Sequence, residues 1–207
     1  MPQEPLIAAT VQLPNKAVAL QKGDAQGAAV VAQRHGDQYE AAYAGSIGMA
    51  ANPGLSGITT SAGLATTYLG ICLSNPAGSG KNLSVLRVSG QIIVAPATLT
   101  GYGLITGYAA GGITVHTTPL TVQQALIGQV AGDPLVGLVD SACTLVGTPI
   151  WSDWLGVTPA ATSVLSFSRA VGGAILIPPG GYMAVGSNIA GPAAGFLGSV
   201  VWEENPA

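Results

Sequence analysis

Residues Tyr68–Val94, YLGICLSNPAGSGKNLSVLRVSGQIIV, constrain this chain more than any other stretch. Leu69, Ile71 and Leu73 alternate with Gly70, Cys72 and Ser74, and Asn75–Asn82 then concentrates Pro, Gly and Ser. Beyond it Leu86, Val88, Ile92 and Val94 fall in step with Gly90, while Arg87, Ser89 and Gln91 fall between them. Period-two alternation belongs to strands, because successive side chains point to opposite faces. Pro, Gly and Ser supply the turn conformations. The spacing therefore predicts an antiparallel β-hairpin with one buried face. In that phase Leu83 and Val85 fall on the polar side near the turn, which marks them as contacts for a neighbouring molecule.

The rest of the chain repeats short β-like runs. Gly101–Tyr108 is β-like and glycine-punctuated, and a turn follows at Ala110–Gly112. Val136–Leu145, Ser163–Ser168, Ala174–Ile177, Tyr182–Val185 and Phe196–Glu204 read as strands, with Pro178–Gly181 as a turn. Asn52–Ala62 and Pro149–Thr158 read as loops, the second holding Trp151 and Trp154. In Gln38–Met49 the four-residue spacing of Tyr39, Tyr43 and Ile47 admits a helix, but Gly45 and Gly48 interrupt it and the segment is assigned to a strand. One short helix is predicted at Thr118–Gly132. Thr118 can cap it, Pro119 suits its first turn, and Val122, Ala125, Leu126, Gln129 and Val130 keep a three-to-four spacing. Short strands separated by turn signals indicate an all-β fold, specifically a jelly-roll-like β-sandwich.

Charge is scarce and uneven. The 207 residues include six basic and nine acidic side chains, seven of them within Met1–Glu40, which also holds Pro2, Pro5 and Pro14. Met1–Arg34 shows no sustained period and reads as an extended N-terminal arm, with residues 35–207 as the sandwich domain. Leu6–Val11 and Val18–Leu20 give the arm apolar side chains suited to docking on a neighbouring subunit, so Leu6 and Val11 are candidate partner contacts. Charged residues make up 7% of the chain, against about 25% in an ordinary soluble domain. So few charges leave a large uncharged surface, which favours association. A net charge of −3 argues against a nucleic-acid surface, which is basic. Mean hydropathy is +0.49, yet no run of about 18–20 apolar residues exists to span a membrane. The first residues, MPQEPLIAATVQLPNKAV, lack the apolar core of a signal peptide, so synthesis in the cytoplasm with no export signal is expected. Cys72 and Cys143, far apart in a chain made in the cytoplasm, are expected as small buried apolar residues.

Chemical motifs fall short one by one. Ala77–Lys81, AGSGK, resembles the end of a phosphate loop, but Asn75 stands where the first Gly belongs, Asn82 follows the Lys, and no helix begins there. Gly101–Gly107 misses the dinucleotide fingerprint by one residue and lacks a βαβ setting. His35 and His116 stand in separate segments without further ligands at zinc spacing. His116 with Asp133 or Asp140 is a conceivable couple, but no Gly-x-Ser-x-Gly elbow accompanies it. Paired carboxylates could be drawn from Asp133, Asp140, Asp153, Glu203 and Glu204, but the adjacent Glu203 and Glu204 point to opposite faces of a strand. Trp151 and Trp154, with Asp153 between them, could form a sugar-stacking platform, although tryptophan more often anchors an interface. No calcium loop is present, and Asn82-Leu-Ser84 is a glycosylation acceptor in form only. No catalytic, cofactor-binding or metal-ligating residue is assigned, and the expectation is a protein that is not an enzyme.

The succession QYEAAYAG, GLATTYLGICLSNPAGSGKNLSVLRV, ILIPPGGYMAV and VVWEE resembles virion structural proteins of tailed bacteriophages, over roughly Gly36–Glu204. The most specific part is Gly70–Ser79 followed by Leu83–Val88. The resemblance implies a β-sandwich on the particle surface, such as a capsid decoration (cement) protein, with a head- or tail-fibre module binding a host glycan as the alternative. It implies the major capsid protein and further copies of the chain as partners, a homotrimer before a homodimer, and no catalytic residues. Partner contacts are expected at Leu6, Val11, Tyr39, Tyr43, Leu83, Val85, Trp151 and Trp154.

Overall fold

A computed structural model describes residues 10–12, 18–20, 38–52, 57–128, 135–161 and 165–207. The chain divides into two compact units, Met1–Tyr39 and Glu40–Ala207. In the first, β1 (Thr10–Gln12) and β2 (Val18–Leu20) pair antiparallel, with Val11 opposite Ala19. Most of the predicted arm, Leu6 included, lies outside the described residues. A five-residue helix, α1 (Tyr39–Tyr43), leads into β3 (Ile47–Ala51). The strands that follow are β4 (Thr67–Ser74), β5 (Lys81–Ile92), β6 (Thr100–Tyr108), β7 (His116–Pro119) and β8 (Gln123–Gln124). The chain ends with β9 (Leu138–Thr144), β10 (Ile150–Thr158), β11 (Ser166–Ile177), β12 (Gly181–Ser187) and β13 (Phe196–Pro206).

The fold is all-β, as the alternation predicts. Two antiparallel sheets form it, one ordered β10-β6-β12-β4-β9-β7 and the other β11-β5-β13-β3-β8. Between them lies a core to which the six-stranded sheet contributes Ile71, Leu73, Tyr102, Leu104, Met183 and Val185, and the five-stranded sheet Leu83, Val85, Val88, Ile92, Phe196 and Trp202. Each large apolar side chain buried there stabilises the fold by about 1.5–3 kcal/mol relative to exposure. Tyr102 and Phe167 flank Phe196 at ring-centroid distances of 6.0 and 6.3 Å.

The hairpin expected at Tyr68–Val94 is instead an arch. β4 pairs with β9 and β12, and β5 pairs with β11 and β13, so the two runs face each other across the core rather than lying side by side. Among the described residues no strand from β3 to β13 pairs with its neighbour in sequence. The turn joins two sheets, and Asn75 is what fixes it. Its fully buried carboxamide donates to Lys81 O at 2.7 Å and Ile177 O at 2.9 Å, and its Oδ1 accepts from Ser79 Oγ. Its backbone N–H donates to Gly181 O, and its carbonyl accepts from Gly180 N–H. One side chain therefore ties the β4–β5 arch to the β11–β12 arch at Pro178–Gly181. Gly78 and Gly80 take left-handed φ values of 73° and 68° within the turn, which glycine adopts without a side-chain penalty.

Leu83 and Val85 are fully buried in the core, contrary to their expected place on a partner surface. Strand β5 carries a bulge that the alternation did not anticipate. Val201 of β13 faces Arg87 and Trp202 faces Val85, so Leu86 is the extra residue. The extra residue resets the phase, and Leu83 and Val85 before it point the same way as Val88 and Ile92 after it. The helix expected at Thr118–Gly132 is also corrected over its described part. There the chain closes β7 beside β9 and places Gln123–Gln124 opposite Gly48–Met49 as β8. Residues 129–134 lie outside the described residues. Conversely, Tyr39–Tyr43 is the helix, and the strand begins only at Ile47. Pro149–Thr158 is not a loop, because Ile150–Thr158 forms the edge strand β10.

Candidate interaction surfaces

The outward face of the six-stranded sheet is built to be covered. Tyr68, Cys72, Ile105, Tyr182 and Ala184 stand on it, all buried, with Ile113, Cys143 and Leu145 packed among them. Tyr68 lies along its own strand over Gly70, and its hydroxyl donates to Ile71 O at 2.9 Å and to Val185 O. Tyr182 Oη donates to Val146 O at 2.8 Å. Burial, reinforced by the neighbouring Cys72 and Cys143, raises the Tyr68 hydroxyl well above its ordinary value and pushes Tyr182 up to about 12. A hydrogen bond with Cys143, followed by burial, raises the Cys72 thiol. These groups keep their protons at neutral pH, and Cys72 has none of the thiolate character that a nucleophile needs. Both cysteines are buried and free, as expected for small apolar residues.

At the β7–β9 end of this face the weighed couple of His116 and Asp140 forms, with Nδ1 2.7 Å from Oδ2. Strand β7 lies beside β9, which brings together two residues 24 apart in sequence. The other ring nitrogen, Nε2, faces Ile113 O at 3.0 Å. A general base needs that nitrogen for its substrate, so the couple acts as a clamp holding the 113–116 segment onto β9. Asp140 is fully buried and its Oδ1 has no hydrogen-bond partner. Burial raises its carboxyl above the ordinary range, and the bond to His116 opposes that rise.

The other chemical candidates are also structural. Lys81 of the AGSGK loop meets Glu204 at 3.3 Å. The Glu204 carboxylate also accepts from the backbone N–H groups of Val136 and Gly137 and from Trp202 Nε1. It pins residues 136–137 onto β13. Asp133 lies outside the described residues, and Asp153 pairs with Arg169 at 3.4 Å. Among the described residues no group of three His, Cys, Asp or Glu is placed to hold a metal, and no helix is long and apolar enough to cross a membrane.

The outward face of the five-stranded sheet is of another kind. Ala51, Ser89, Gln91, Ser166, Leu197 and Ser199 line a shallow depression of about 430 Å³ across it. A second depression, of about 480 Å³, lies beside it between Met49, Arg87, Gln123, Ser199 and Val201. Among the described residues Arg87 is the one charged residue lining either. None of the outward side chains named here is buried, and the Ser89 and Ser168 hydroxyls bond to each other at 3.1 Å.

Of the expected contact residues, Tyr39 and Tyr43 stand exposed on α1, four residues apart on one side of the helix. Trp151 and Trp154 stack with ring centroids 4.6 Å apart and planes at 20°. Neither the open sheet face nor the bulge that buries Leu83 and Val85 was found from sequence. The face had a faint signal in Ser89 and Gln91 of β5 and Ser199 of β13. Compared with known proteins, the chain matches no family model, no curated protein and no solved structure.

Proposed function

We propose that this chain is a non-enzymatic virion structural protein, a capsid decoration (cement) subunit that sits on the major capsid protein of a tailed bacteriophage and stabilises the particle. The observation that carries this reading is the open outward face of the five-stranded sheet. It bears mostly uncharged side chains, the small Ala51, Ser89, Ser166 and Ser199 among them with Arg87 as a charged exception, and belongs to a chain in which only 7% of residues are charged. Such a face lets another backbone approach closely, with little desolvation of charge. The nested strand orders β3-β13-β5-β11 and β4-β12-β6-β10 support a jelly roll, an architecture that serves in capsids and in lectins alike. Fold alone does not assign a function. The resemblance of Gly70–Ser79 and Leu83–Val88 to phage virion proteins supplies the context. Repeated over a symmetric lattice, modest contacts of this kind add through multivalency. The chain is made in the host cytoplasm, acts on the capsid surface, and associates with itself as a trimer.

Particles stripped of this protein should lose resistance to heat and chelator and regain it when the purified chain is added back. Unchanged resistance on stripping would remove the clamping role. A stable monomer at high concentration, measured by mass in solution, would remove the trimer.

A further inference from the structure

The two tryptophans on β10 form a site that the capsid reading does not use. Residues 151 and 154 would point to opposite faces of a regular strand. Strand β10 is not regular. Trp151 faces Ile105 and Asp153 faces Leu104, so Ser152 is an extra residue; Trp154 then faces Gly103 and Gly156 faces Tyr102, so Leu155 is a second. Bulges re-aim side chains, and the extra Ser152 between the two tryptophans brings both indoles to the outward face, opposite Ile105 and Gly103. There they stack at 4.6 Å, and Trp154 remains 53% exposed.

Beneath the rings β6 presents Gly101 and Gly103, and Ile105 stands opposite Trp151. A methyl group on Gly101 would lie 3.3 Å from the Trp154 ring, and one on Gly103 would lie 3.0 Å from Trp151. The rings therefore stand directly on backbone, and Asp153 Oδ1 steadies the local chain by accepting from Trp154 N–H at 2.8 Å. Beside Trp154, Asn188 Oδ1 accepts from Gly101 N–H at 2.9 Å, and Asn188 N–H donates to Gly101 O at 3.0 Å. The carboxamide oxygen is thereby fixed, and its two N–H donors turn away from Gly101 at an exposed position. The site thus combines a rigid aromatic face with a fixed, outward amide donor.

We propose that Trp154, backed by Trp151 and flanked by Asn188, is a binding platform for a neutral hexopyranose unit of a glycan. A pyranose ring offers a flat C–H face for the indole and hydroxyl groups at its edge for the amide, which matches the mixed character of the site. An anionic ligand is disfavoured. A nucleic acid would need cations along its backbone, whereas Arg169 in this region is paired with Asp153 and the chain carries a net charge of −3. The site is independent of the open sheet face, and each can fail without the other.

The test is titration of the full chain with lactose, maltose and cellobiose, followed by ligand-observed NMR and tryptophan fluorescence. With one stacking face and one polar partner, at least one disaccharide should bind with a Kd of about 1–10 mM. Trp154→Ala should weaken that binding by about tenfold or more, Trp154→Phe by about threefold, and Asn188→Ala by an intermediate factor. Because Trp154 is half exposed, Trp154→Ala should retain the wild-type circular dichroism, and Asn188→Ala carries the test should it not. Absence of saturable binding by all three sugars, or binding that both alanine variants leave unchanged, would overturn the proposal. So would loss of self-association in Trp154→Ala with no sugar binding by wild type, which would make the stack a protein anchor.

Discussion

On the six-stranded sheet the side away from the core carries Tyr68, Cys72, Ile105 and Tyr182, all buried, whereas the same side of the five-stranded sheet carries Ala51, Ser89, Gln91 and Ser199, none of them buried. Both sheets contribute comparably to the shared core, so the difference lies outside what is needed to fold a sandwich. The covered face turns most of its polar groups inward: the Tyr68 and Tyr182 hydroxyls end on backbone carbonyls, and Asp140 Oδ2 ends on His116. The open face has few such bonds of its own. A chain that covers one sheet face with its own loops and leaves the other unburied and sparsely charged among the described residues has, on the second, surface available to another molecule.

Substitutions on the two faces should therefore separate stability from assembly. The largest effect is expected at Gly70. Its φ is 147°, and an added Cβ would collide with the Tyr68 hydroxyl and lie 2.6 Å from Val185 O. Gly70→Ala should cost roughly 3 kcal/mol or more of stability in denaturant unfolding. A cost below about 1 kcal/mol would mean that the covered face is looser than described.

A smaller effect concerns pH. Burial raises the Asp140 carboxyl above its ordinary value of 3.8, with His116 opposing. An acid whose pKa is higher folded than unfolded holds its proton more tightly in the folded state. Its contribution to stability is greatest below the unfolded value and declines as pH rises through the folded one. Thermal melts of wild type should show this decline above about pH 4, and Asp140→Asn should flatten it. Identical pH profiles would place the carboxylate in a more polar setting than its burial indicates.

The smallest effect on stability belongs to the open face. Ser199→Arg should shift unfolding by no more than about 0.5 kcal/mol. It should nevertheless weaken attachment to capsids measurably in a co-sedimentation assay. Unimpaired attachment would assign the contact to another surface.

The sequence carried the architecture through alternation, and it misled wherever alternation was broken. Leu69–Leu73 and Val88–Ile92 are strands as their period requires, but period alone cannot say whether two runs pair or face each other. That choice was made by Asn75, whose partner Ile177 lies 102 residues away. Leu83 and Val85 read as outward because the extra residue at Leu86 leaves no mark in composition. Trp151 and Trp154 read as loop residues for a related reason, since two bulges disguise the period of β10. The capping signals at Thr118 and Pro119 suit a helix locally, yet pairing of β7 with β9 and of β8 with β3 prevails, as tertiary contacts commonly do over propensity. The His116–Asp140 clamp was visible only as one of two possible pairs, because strand pairing rather than spacing brings it together.

On the proposed function, the five-stranded sheet meets the capsid through its open face. Imaging of decorated particles, at a resolution that distinguishes the two sheets, tests it most directly. The account predicts density for this chain on the capsid surface, with Ser89, Gln91 and Ser199 turned toward the major capsid protein and Tyr68 and Tyr182 away from it. Density with the five-stranded sheet facing solvent, or no copies on the capsid, would contradict it.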